Sequence, residues 1–196
     1  DTQTRRRLAL DALRLLAGTF ATTPLPVSAA TTYYVSPQGN DSLLGTQSQP
    51  WRTIQKAANT LAPGDTCLVL AGTYPERVRV SRSGTAGAPL TFQASGAVQM
   101  RGFTVTADHV AIRGFAISDA DAHWQNGWGI FFAGSGALLE DNHIYYNPAG
   151  GIIIHDAPGD GRLPANGVIR HNRLERNAMV GIQVYGADHL IENNEV

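Results

Sequence analysis

Leu138-Leu139-Glu140-Asp141-Asn142-His143-Ile144 returns as Val168-Ile169-Arg170-His171-Asn172-Arg173-Leu174, and again as Leu190-Ile191-Glu192-Asn193-Asn194-Glu195-Val196. Each copy reads two aliphatic residues, two polar ones, an asparagine, a polar residue and an aliphatic. Asn172 and Asn194 are 22 residues apart, and Asn142 and Asn172 are 30 apart. Gly129-Ile130, Gly151-Ile152 and Gly181-Ile182 open short β-prone segments, and their spacings are also 22 and 30. Two independent markers thus share the same eight extra residues, which places one insertion where Pro, Gly and Asp gather between Asp156 and Asn166. The period is 22. A weaker copy, Ala111-Ile112-Arg113-Gly114-Phe115-Ala116-Ile117, lies 27 residues earlier, the excess falling in the loop Asp119 to Trp128.

A period of about 22 residues with two or three strands per turn predicts an all-β fold, a right-handed parallel β-helix. The Leu-x-x-Leu-x-Leu pattern of a leucine-rich repeat is absent. Stacked copies of one position should lie about 4.8 Å apart, the interstrand spacing. Asn142, Asn172 and Asn194 are then expected to form an asparagine ladder at a turn, with Asn147 and Asn177 starting a second. Glu140, Arg170 and Glu192 share one outward position, and His143, Arg173 and Glu195 another. Opposite charges on successive coils favour in-register stacking.

The chain of 196 residues carries a formal charge of −1 and a single cysteine, Cys67. No broad basic surface is present to attract nucleic acid, and no disulfide framework or cysteine metal site can form. Residues 1–30 read as an export segment: Arg5-Arg6-Arg7 precede a mainly apolar run, Leu8 to Val27, and Val27-Ser28-Ala29 offers a cleavage site. Asp11 and Arg14 interrupt that run, so an amphipathic N-terminal helix is the alternative. No later segment is long and apolar enough to span a membrane. A secreted, periplasmic or cell-surface bacterial protein is expected, with residues 31–196 as its β-helix domain. Val196 falls in a repeat strand with no closing element after it, so further coils are expected, and a monomer at full length.

Trp51, Ile54, Ala58 and Leu61 fall on one face of a short helix between Pro50 and Pro63-Gly64, a candidate cap over the apolar end of the solenoid. Strands are predicted at 66–70, 77–80 and 90–94, separated by Gly72-Thr73-Tyr74 and Gly84-Thr85-Ala86-Gly87. Tyr33-Tyr34-Val35-Ser36-Pro37-Gln38-Gly39-Asn40-Asp41, Gly45-Thr46, Pro50-Trp51, Pro63-Gly64-Asp65-Thr66 and Ser83-Gly84-Thr85-Ala86 resemble the opening of many secreted bacterial β-helix proteins. That group includes pectate lyases of the ten-coil type and other polysaccharide lyases, hydrolases and epimerases. The resemblance implies the fold and a polysaccharide partner, with Ca²⁺ and a Lys or Arg base acting on a uronate. Its catalytic motif has no counterpart here. The only lysine is Lys56, in the expected cap helix, so no catalytic residue is carried over and none is assigned.

The repeat itself suggests a binding site. Strand alternation puts Ile130/Phe132, Ile152/Ile154 and Ile182/Val184 inward, leaving Phe131/Ile153/Gln183 and Ala133/His155/Tyr185 as outward columns. Both insertions flank this strand. They are expected to wall a groove containing His155, Tyr185 and Gln183, rimmed by His123, Trp124, Trp128, Asp156 and Arg162. Aromatic faces beside a few polar groups suit sugar rings. Asp119, Asp121, Asp156 and Asp160 lack recognisable cation-ligand spacing, so no metal site is assigned. Two functions remain: a lyase or hydrolase acting on an acidic glycan such as pectate or alginate, and a non-catalytic carbohydrate-binding or adhesin-like module. A viral tail spike is a variant of the second.

Overall fold

The computed structural model describes residues 29–121, 125–157, 159 and 161–196. Residues 1–30, the expected export segment, therefore lie almost wholly outside the described residues, and His123, Trp124 and Asp160 lie outside them too. The chain winds as an all-parallel β-solenoid of about five turns. Its strands are β1 (Thr32–Val35), β2 (Thr66–Val80), β3 (Leu90–Val105), β4 (Val110–Arg113), β5 (Ala116–Ile117), β6 (Trp128–Phe132) and β7 (Leu138–Glu140). They continue as β8 (His143–Tyr145), β9 (Gly150–Ile154), β10 (Val168–Arg170), β11 (Arg173–Glu175), β12 (Val180–Val184) and β13 (Leu190–Glu192).

Registers define three faces. On face A, Cys67, Phe92, Ile112, Leu139, Ile169 and Ile191 form one column across β2, β3, β4, β7, β10 and β13. On face B, Tyr74, Met100, Ile117, Ile144 and Leu174 do the same, the last three on β5, β8 and β11. On face C, Phe103, Ile130, Ile152 and Ile182 align across β3, β6, β9 and β12. Apart from the exposed Ile191, these columns meet in one apolar cluster along the axis, against which Ile182 and Val184 pack. The alternation predicted for the Gly-Ile segments is observed.

β2 and β3 depart from the expectation of short separate strands. Gly72-Thr73-Tyr74 does not separate two strands; it lies inside β2, which bends through register shifts at Leu70/Gly72 and Tyr74/Arg77. The bend follows from the backbone: Gly72 has φ 153° and packs on Pro37, where a Cβ would approach Pro37 Cγ to 2.4 Å.

Later coils turn at residues in the left-handed region. Asp141, His171 and Asn193 occupy one corner (φ 55°, 55° and 54°), each just before a buried or half-buried asparagine. There Asn142 Nδ2 donates to Asn172 Oδ1, and Asn172 Nδ2 to Asn194 Oδ1, both at 3.0 Å. At the next corner Asn147 Nδ2 donates to Asn177 Oδ1 at 3.0 Å. On the outside of face A, Glu140 pairs with Arg113 at 2.8 Å and with Arg170, which lies 3.9 Å from Glu192.

The cap helix is shorter than the sequence suggested. α1 spans Ile54–Thr60, and Trp51 instead bridges Val35 and stacks on Tyr33 with centroids 4.7 Å apart. Leu61 is the C-cap. The helix starts where it does because its first amides are claimed by side chains. Thr53 Oγ1 accepts from Lys56 N–H, and the Glu76 carboxylate accepts from Ile54 and Gln55 N–H at 2.8 and 3.1 Å. Burial raises the Glu76 carboxyl above its ordinary value, and those two amides offset only part of the effect. No helix among the described residues is long and apolar enough to cross a membrane.

Candidate functional site

β6, β9 and β12 each continue for one hydrogen-bonded residue past the strand. Ala133 N–H donates to Val105 O, His155 N–H to Phe132 O and Tyr185 N–H to Ile154 O, at 2.7, 3.0 and 2.9 Å. Backbone stacking thus sets Ala133, His155 and Tyr185 in one column at the outer edge of face C. The His155 and Tyr185 rings meet edge to face, centroids 4.5 Å apart. The His155 Nδ1 edge contacts the Asp156 carboxylate and lies 3.2 Å from Asp156 O. Gln183 Nε2 donates to the Tyr185 hydroxyl at 2.7 Å. His155, Asp156, Gln183 and Tyr185 are therefore brought together.

Trp128 and Arg162 are placed differently. Trp128 is only 4% exposed and packs with Phe131, Ala133 and Ile153 in a second apolar cluster on the outside of face C. Ala149 and Ala157 pack against it. The outward residues Phe131 and Ile153 are aliphatic or aromatic, so covering them removes apolar area from water, and the indole supplies that cover. Trp128 thus backs the site and does not rim it. Arg162 reaches from the second insertion to the turn before β4, donating to both Asp108 carboxylate oxygens at 3.0 and 3.3 Å. Asp108 also accepts from Ser135 N–H at 2.7 Å. Burial raises the Asp108 carboxyl, but Arg162 and the Ser135 amide outweigh it and hold it below the ordinary value. His123 and Trp124 lie outside the described residues.

Two supporting residues carry no sequence signal, because they come from other coils. One is Asp108. The other is Arg77, whose fork donates to Thr104 Oγ1, Trp128 O, Phe103 O and Gln125 O at 2.7–3.2 Å. Burial lowers its pKa to about 10, so it stays charged at neutral pH. It pins the end of the first insertion to face C. Among the described residues no three His, Cys, Asp or Glu side chains converge as a metal ion requires. Asp119 is engaged by Ser118, and Asp121 by Arg101.

The family model described as Pel9A-like, right handed beta helix region, matches residues 33–192. YwoF, an uncharacterized protein of Bacillus subtilis strain 168, is 32% identical over 130 residues, covering 57% of this chain and 28% of that protein. The pectate lyase PEL9 of Emericella nidulans is 37% identical over 71 residues, covering 35% of this chain and 17% of that enzyme. The crystal structure of pectate lyase Pel9A superposes with a TM-score of 0.62 at 20% identity, covering 87% of this chain and 56% of that one. That likeness is one of fold. The chain spans less than a third of the length of the first two relatives.

Proposed function

Because this chain belongs to the family of Pel9A-like right-handed β-helices, we propose that it is part of an exported protein that processes polysaccharide, a lyase or hydrolase acting on an acidic glycan such as pectate or alginate. The observation that carries this reading is the gathering of His155, Asp156, Tyr185 and Gln183 on two neighbouring coils. Coils stack at about 4.8 Å, close to the length of one sugar unit, so successive residues of a glycan chain meet successive coils. Asp156 holds one imidazole edge, and Gln183 holds the Tyr185 hydroxyl, which leaves two oriented groups able to exchange protons with a bound sugar. A lyase needs such a group to take the proton beside a uronate carboxylate, and a hydrolase needs one to protonate the leaving oxygen.

A second reading is a non-catalytic carbohydrate-binding module. It is favoured by the position of the only lysine, Lys56, which sits in α1 with its ammonium 5.8 Å from the Trp51 ring centroid, on the cap. Incubating the full-length protein with pectate and with alginate separates the readings. Ultraviolet absorbance of unsaturated uronates marks a lyase, and new reducing ends without that absorbance mark a hydrolase. Glycan binding without either product supports the module. Turnover that survives substitution of both His155 and Tyr185 by Ala overturns the assigned site.

A further inference from the structure

The outside of face B carries a second polar surface that this reading does not use. Two adjoining cavities, of about 370 and about 230 Å³, open there and share Thr73, Tyr74 and Pro75. The smaller is also walled by Gln99, Arg101, Ser118 and Asp119. A hydrogen-bonded chain stiffens that wall. Tyr145 OH donates to Gln99 Oε1 at 2.9 Å, Gln99 Nε2 to Ser118 Oγ at 2.8 Å, and Ser118 Oγ–H to Asp119 Oδ2 at 2.6 Å. The chain leads out of the cavity to Tyr145, whose ring meets that of Tyr146 edge-on at 5.6 Å. The Arg176 guanidinium lies 5.6 Å over the Tyr146 ring and donates to its hydroxyl. Cavity, two aromatic rings and two arginines thus form one strip across successive coils.

The backbone adds an independent reason to single out this strip. Asp119, Tyr146 and Arg176 occupy equivalent corner positions, with φ of 57°, 53° and 55°. At the other two corners the left-handed residue is Gly, Asp, Asn or His: Gly114, Asp141, His171 and Asn193 at one, His109, Gly136, Asn166 and Asp188 at the other. Those residue types adopt this region most readily. A bulky tyrosine and an arginine gain nothing from it, so corner geometry does not account for them. Tyr146 is 52% exposed, with its ring beside the arginine on the surface.

We propose that this strip is a second glycan-binding track, one corner away from His155 and Tyr185, and that its ligand is a uronate-containing oligosaccharide. The apolar face of a sugar stacks on the half-exposed Tyr146 ring, and sugar carboxylates pair with Arg176 and Arg101. Asp121, the present partner of Arg101, lies 3.5 Å away in a solvent-exposed pair, which a bound carboxylate displaces at little cost. The choice of a uronate rests on the proposed function; the location of the track does not.

Titration calorimetry on the whole chain, with oligogalacturonate as the probe, tests this in the variant His155→Ala, Tyr185→Phe, which lacks the face C site. That variant is expected to bind. Adding Tyr146→Asn and Arg176→Asn is expected to weaken binding about tenfold. Asparagine tolerates the left-handed backbone, so unfolding temperature should hold, which separates lost contacts from lost structure. A neutral galactan oligosaccharide of equal length is expected to bind more weakly. Unchanged affinity after the two asparagine substitutions overturns the track, as does failure of oligogalacturonate to bind the starting variant. Equal binding of the neutral oligosaccharide overturns the uronate assignment. Absence of unsaturated or reducing-end products from the unsubstituted protein, with binding by the variant intact, counts against the proposed function alone.

Discussion

Asn172 is 1% exposed, and its carboxamide is fully engaged. Nδ2 donates to Leu139 O at 2.8 Å and to Arg170 O and Asn194 Oδ1 at 3.0 Å, while Oδ1 accepts from Asn142 N–H and Nδ2 at 3.0 Å each. One side chain thus serves the backbone of its own coil and of the preceding coil, and joins the next through Asn194. Replacing it with alanine strands a buried amide and a buried carbonyl, each costing about 1–3 kcal/mol. Asn172→Ala is expected to lose roughly 2–5 kcal/mol of stability in urea unfolding. The position was legible because a ladder must repeat at the coil period. Tyr145 and Gln99 were not legible in this way. Their faces are linked through the register Gln99 to Ala116 to His143, whose members are unevenly spaced in sequence, so no fixed period marks them.

Two arginines do at the scale of elements what the repeat does at the scale of coils. Arg77 holds the carbonyls of Phe103, Gln125 and Trp128, and so fixes the end of the first insertion to β3 and β6. Arg77→Met removes a charged donor from each of those carbonyls and is expected to cost about 3 kcal/mol or more in chemical unfolding. Arg77→Lys keeps the charge but not the planar fork, and should recover only part of the loss. Arg162 ties the second insertion to Asp108. The Asp108 carboxyl is depressed in the folded chain, so its contribution is present above the ordinary value of 3.8 and is lost as pH falls through the folded pKa below it. The unfolding temperatures of the native chain and of Asp108→Asn are expected to differ most above that window and to converge as pH falls through it. Neither arginine could be assigned from the sequence, since each reaches a partner 26 to 54 residues away along a path that no repeat constrains.

For the whole molecule, the coil is the unit of folding. Asn172 and Asn194 are 22 residues apart, and Val168 pairs in register with Leu190. Deleting residues 168–189 removes one coil and joins Gly167 to Leu190, which keeps every inward residue inward. Deleting 168–190 shifts the remaining strand by one and turns its apolar side outward. Both deletions are expected to retain β-type circular dichroism and cooperative thermal unfolding, the second with the lower unfolding temperature.

The sequence by itself determined the solenoid, its period, the inward columns and the charge pairs of face A. A stacked fold converts a fixed spacing along the chain into contact across about 4.8 Å, so neighbours in space are countable in the sequence. Only the tertiary structure decided that Trp128 lies buried over Phe131 and Ile153, that Arg162 turns back to Asp108, and that β2 bends through Gly72 without breaking. It alone assembled the strip from Arg101 to Arg176. Insertions and corner side chains have no period, and their partners are set by which coil they fold over, which is fixed only once the coils have stacked.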